Sequence, residues 1–132
     1  MDNVKYKDEA HEKFYSEYVM ECRHQDAHHK ALVYCLGMNA DTRRYVNSIY
    51  NFKTGSVIKE CLNEGWITSG SGKVVRMAFN LYNNGTPSIY AYEDLEDQLK
   101  ECSKYTVEDL FCCPYAKYFF EAIKIRYPEF CT

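Results

Sequence analysis

At 132 residues the chain has the length of a single domain, 1–132, able to bury a core without disulfide or metal staples. Hydrophobic residues at 46% and charged residues at 27% exclude a wholly disordered chain, and no apolar run approaches the roughly 18 residues of a bilayer span. The net charge of −3 argues against a general nucleic-acid binder with a basic surface, and the opening MDNVKYKDEAHEKF lacks the apolar stretch of a secretory signal.

Helical spacing dominates the chain. From Asp8, a suitable N-cap, residues His11, Phe14, Tyr15, Tyr18, Val19 and Cys22 recur at steps of three and four, which is one face of a helix. Asp26 is placed to cap a second helix carrying Ala31, Leu32, Cys35 and Leu36, with Gly37 ending it at the C′ position. Asp41 starts a third, with Tyr45, Val46, Ile49 and Tyr50. Asn51 to Gly55 reads as a turn, and residues 57–63 as a short helix closed by Gly65.

The stretch TSGSGKVVRMAFNLYNN, residues 68–84, predicts the central helix. Only Lys73, Arg76, Asn80 and Asn83 are polar in its body, and they form one narrow stripe on an otherwise apolar cylinder. Asn84 to Pro87 break the chain, and residues 88–92 (SIYAY) read as a short extended piece. Residues 93–109 are rich in Asp and Glu against Lys100 and Lys104, the expected solvent side of a helix and its loop. Thr106 and Asp109 suit a short capped turn, and Pro114 the first turn of a last helix. That helix carries Tyr115, Tyr118, Phe119, Ala122 and Ile123 on its core face, with Pro128 after its end. The pattern predicts a compact all-α domain of about five or six helices.

The strongest local pattern for chemistry is Ser69, Gly70, Ser71, Gly72 and Lys73 leading into the central helix, with Arg76 one turn on. Free amides and the positive end of a helix suit a phosphate, and the two cations add charge. The run is not a nucleotide-triphosphatase loop, because Gly72-Lys73 is followed by Val74 and Ile67 stands where that loop needs glycine. Arg43 and Arg44 beside Tyr45, and the sole tryptophan, Trp66, are candidates for charge and base stacking. His11, His24, His28 and His29 lack the partners and spacing of a metal site, so no metal or other cofactor is expected. The seven cysteines are odd in number, contain no C-x-x-C pair and are expected as free thiols. The 13 tyrosines fall mostly at helical spacing and are expected to serve the core.

The segment TSGSGKVVRMAFNLYNNG resembles a segment of a family of small proteins encoded by phages and prophages of Gram-positive bacteria. EAHEKFYSEY, LVYCLGMNADTRRYVNSIYNFKTGSVIKECLNEGW and FFEAIKIRYPE are similar to it as well, while the likeness thins over residues 86–112. The resemblance implies a phage context, the cytoplasm of an infected bacterial host, and no catalytic chemistry. The expected function is an anti-defence binding protein that sequesters a phosphate-bearing signal nucleotide. One alternative is an inhibitor that docks directly on a host defence protein through residues 93–109 or exposed tyrosines; another is a small hydrolase of the signal. Self-association into a homo-oligomer stays open.

Overall fold

Asp8 caps the first helix as its chemistry predicts: its Oδ1 accepts the His11 amide at 2.9 Å. A computed structural model describes residues 4–87 and 94–131; the extended piece expected over residues 88–92 lies outside them. In chain order the described helices are α1 (Glu9–Tyr18), α2 (Ala27–Leu36), α3 (Ala40–Arg44), α4 (Val46–Ile49), α5 (Ser69–Asn83), α6 (Leu95–Cys102), α7 (Val107–Phe111) and α8 (Ala116–Arg126). Five of them run seven residues or more, matching the all-α expectation. Short 3₁₀ turns occupy Val19–Glu21, Lys59–Asn63, Ser103–Tyr105 and Pro128–Phe130.

The most enclosed helix is α2 rather than α5. Every residue from Ala31 to Met38 is buried, including Val33 and Tyr34 on the side that one-face spacing leaves out. Such a segment needs cover on all sides. It receives it from α5, α8 and α1, which pack around it. α5 then buries Val74, Val75, Met77, Ala78, Phe79 and Leu81, with Lys73, Arg76 and Asn80 half-buried and Asn83 exposed along the predicted stripe. Asn80 Nδ2 donates to the Gly85 carbonyl at 3.2 Å, and Asn84 takes the left-handed conformation that ends the helix, with φ of 57°. On α8, Phe119 and Ala122 are buried. The buried apolar residues form one cluster.

Several local expectations are corrected. The N-cap of α3 is Asn39, not Asp41, because the Asn39 Oδ1 reaches the amides of both Asp41 and Thr42. The predicted third helix breaks at Tyr45, and Tyr50 belongs to an antiparallel hairpin of β1 (Tyr50–Asn51) and β2 (Ser56–Val57). Asn51 Oδ1 accepts the Lys53 and Thr54 amides inside that turn, and Gly55 provides its positive φ of 74°. The short helix expected over residues 57–63 is reduced to the 3₁₀ turn Lys59–Asn63, since Val57 ends β2. Pro114 stands before the N-cap of α8, which is Tyr115.

Gly37 ends α2 but not as a left-handed C′ residue: it is the C-cap, with φ of −77°. Its reason is proximity. A Cβ there would lie 2.7 Å from His11 Cδ2 and 3.0 Å from Phe14 Cδ1, so glycine lets α1 lie against the end of α2. The His11 ring that approaches it is fully buried. Its Nδ1 accepts the Lys7 amide at 3.0 Å, so the proton sits on Nε2, which donates to the Tyr34 carbonyl at 2.8 Å. This is a neutral imidazole with both nitrogens satisfied. Burial lowers its pKa, and the bond to the Tyr34 carbonyl offsets part of that effect.

Gly37→Ala destabilises the fold by about 1–3 kcal/mol, since the ring it meets cannot retreat without losing a hydrogen bond; the urea midpoint measures this, and an unchanged midpoint means α1 does not press on α2 there. With the folded pKa of His11 below its ordinary 6.5, the unfolded chain binds the proton first. The His11 contribution is complete above that value and declines as pH falls through it towards the folded pKa. Stability measured from about pH 7.5 to about 5.5 therefore falls more steeply for the wild type than for His11→Gln; equal slopes would mean that the ring binds a proton as readily in the folded as in the unfolded chain.

Candidate functional site

The Ser/Gly run is the first turn of α5, not a loop leading into it. Thr68 is the N-cap: its Oγ1 accepts the Ser71 amide at 3.1 Å, and Ser71 Oγ accepts the Thr68 amide at 2.7 Å. This is a capping box with serine in the place of the usual Glu or Gln. The Gly72 amide already bonds to the Thr68 carbonyl at 2.8 Å. Ser71 and Gly72 are buried, Gly70 is half-buried and Ser69 is exposed.

A Cβ on Gly70 would make an ordinary contact with the Tyr115 ring at 3.5 Å, whereas one on Gly72 would lie 3.1 Å from Arg76 Nη1, the tip of a flexible side chain. Arg76 therefore folds back over the first turn. Its charge also opposes the upward push that burial gives to the pKa values of Cys61 and Tyr105. Lys73 donates from Nζ to the Asp109 carbonyl at 2.6 Å. That bond ties α5 to α7 near the C-terminal end of α7, where carbonyls lack helical donors.

The second group of candidates divides. Arg43 Nη1 donates to the Gly37 carbonyl at 2.8 Å, serving the end of α2. Arg44 stays exposed and lies over the Tyr45 ring at 5.4 Å. Tyr45 in turn stacks on Trp66, with centroids 4.8 Å apart and planes 14° from parallel. Trp66 Nε1 donates to Glu64 Oε1 at 2.6 Å. Arg44, Tyr45 and Trp66 thus form one cation–aromatic stack, while Arg43 and Lys73 are each held by a backbone carbonyl.

His28 and His29 carry structural bonds. His29 Nδ1 lies 2.7 Å from Asp26 Oδ1, and the same oxygen accepts the His29 amide at 3.0 Å. Burial works against ionisation of Asp26, but these bonds outweigh it and hold the carboxyl below its ordinary range. Arg126 Nη2 reaches His28 Nε2 at 2.6 Å, and its Nε donates to the Leu81 carbonyl at 2.9 Å. Among the described residues, no group of three or more His, Cys, Asp or Glu side chains is placed to hold a metal ion. The seven cysteines stand unbridged; burial pushes Cys22 up to about 11 and Cys61 up to about 12, so these thiols are poor nucleophiles near neutrality.

Three further features are absent from the candidates read in the sequence. A groove of about 950 Å³ lies between the end of α1 and the hairpin, lined by Tyr18, Met20, Glu17, Glu21, Phe52 and Lys53 among others. A cavity of about 510 Å³ is lined by Lys5, Tyr6, Lys117, Tyr118 and Glu121. Both join residues remote in sequence, which periodicity cannot pair. The third has a visible sequence signal: Leu95 and Leu99, four apart among acids, are 66% and 60% exposed on α6. No residue of α6 is buried.

Among the described residues, no helix is long and apolar enough to cross a membrane. Comparison with curated proteins and with solved structures returns no match. The model of one family, described as "Family of unknown function (DUF6075)", matches residues 1–132, and the chain belongs to that family.

Proposed function

We propose that this chain is a non-catalytic binding protein, encoded by a phage or prophage of Gram-positive bacteria, that antagonises host defence by docking on a defence protein in the host cytoplasm. The observation that carries this reading is α6. Its leucines at 95 and 99 share one helical face and stand in solvent, bordered by Glu96 and Asp97 in the first turn. An amphipathic helix whose apolar side is open suits a hydrophobic groove on another protein. The acids favour a groove with a basic rim and hasten encounter with it. Several groups that acid–base chemistry would use are engaged within the fold: His11 with Tyr34, His29 with Asp26, His28 with Arg126 and Lys73 with Asp109.

A second reading, capture of a phosphate-bearing signal nucleotide, is favoured by the stack of Arg44, Tyr45 and Trp66. A base can lie against its outer ring, with Arg44 beside the phosphate. The start of α5 adds less to that reading, since Thr68 and Ser71 cap it and Lys73 bonds to Asp109.

The test is plaque formation on a defended Gram-positive host. Expression of the wild-type chain restores plating, and Leu95→Asp with Leu99→Asp abolishes the rescue. Both positions are exposed, so stability changes by no more than about 0.5 kcal/mol each. Full rescue by the double variant removes α6 as the docking surface, and no rescue by the wild type on any defended host removes the anti-defence reading. Sedimentation that shows dimers dispersed by the same substitutions would make a second copy of this chain the occupant of α6.

A further inference from the structure

The segment before α1 is held by two buried side chains, although it lies at the surface. The Tyr34 hydroxyl donates to the Lys5 carbonyl, and His11 Nδ1 accepts the Lys7 amide. Tyr6, between them, packs its ring 5.4 Å from His11, 5.8 Å from Tyr15 and 6.0 Å from Tyr34. The α8 side of the same cavity is anchored too: the Tyr118 ring lies 6.4 Å from His11, and Lys117 Nζ sits 5.4 Å from the Tyr118 centroid. Both walls of the 510 Å³ cavity therefore rest on one aromatic cluster around a neutral histidine.

The lining presents two tyrosine rings and two exposed lysines, Lys5 and Lys117. The carboxylate in the lining, Glu121, pairs with Lys124 at 3.2 Å. The immediate charge is positive on a chain of net charge −3. Small-ligand sites commonly hold about 300–1,000 Å³, so the volume suits a molecule of mononucleotide size. Rings offer stacking to a planar base, and ammonium groups offer charge-assisted bonds to phosphate.

We infer that the cavity between residues 5–6 and α8 is a binding site for a mononucleotide-class ligand, with its base against Tyr6 and Tyr118 and its phosphate on Lys5 and Lys117. The site is separate from α6 and from the Arg44–Tyr45–Trp66 stack, and does not depend on the anti-defence reading. Lys5 is held through its backbone carbonyl, so its side chain is replaceable without losing that bond.

The experiment is calorimetric titration of the purified chain with ADP and GDP, alongside inorganic phosphate and adenosine. The nucleotides bind saturably, phosphate and adenosine each bind at least about tenfold more weakly, and raised salt weakens the binding. Lys5→Glu with Lys117→Glu weakens ADP by at least about tenfold at an unchanged melting temperature. Backbone amide shifts in the wild type, which need no variant, move at residues 117 and 118, and the fluorescence of Trp66 stays constant. Absence of saturable nucleotide binding, equal binding by the double variant, phosphate binding as tightly as ADP, or quenching of Trp66 with shifts confined to residues 44–45 and 66 would each overturn the assignment. None of these results bears on plaque rescue through α6.

Discussion

Eight consecutive buried residues, Ala31 to Met38, leave the second half of α2 no face for solvent. The rest of the fold covers them. α5 and α8 pack on two sides and α1 on another. Tyr34 carries the tightest of these demands. Its backbone carbonyl is bonded by the His11 ring of α1, and its hydroxyl holds the chain at Lys5. One residue of α2 thus fixes both α1 and the segment that precedes it. Gly37 completes the constraint, since any side chain there would occupy the space of the His11 ring.

The start of α5 illustrates how a ligand-like sequence can serve packing. Glycine, serine and lysine at a helix start are what an anion site needs, and also what a crowded, capped first turn needs. Gly72 lies under the Arg76 guanidinium, Thr68 and Ser71 bond each other's amides, and Lys73 closes on α7. The choice between the two depends on Asp109, 36 residues beyond Lys73, and local spacing does not contain it.

This divides what the sequence makes legible from what it does not. Caps are legible because they are local: Asp8, Asp26 and Thr106 each cap the helix their chemistry predicts. The polar stripe of α5 and its buried Phe79 are legible because a long helix exposes its period. The burial of α2 is not, since a short helix buried on every side shows little periodicity. Asn39 outcompetes Asp41 as a cap by bonding two amides at once, a geometric matter. The stack of Tyr45 on Trp66 was partly legible as residue types but not as a contact. The cavity beneath Lys5 and Lys117 was not, because it joins the two ends of the chain.

The resulting molecule has an inner scaffold of α1, α2, α5 and α8 and an outlying α6 with no buried residue. Its leucines, 66% and 60% exposed, gain little from the fold they belong to. Native-state hydrogen exchange read by mass spectrometry measures this division directly. The account predicts that amides of Ala31–Leu36 and Val74–Leu81 exchange only with global unfolding, and that amides of Glu96–Cys102 exchange at least about a hundredfold faster through local opening. Protection of α6 equal to that of α2 would contradict it, since α6 would then be an integral part of the core.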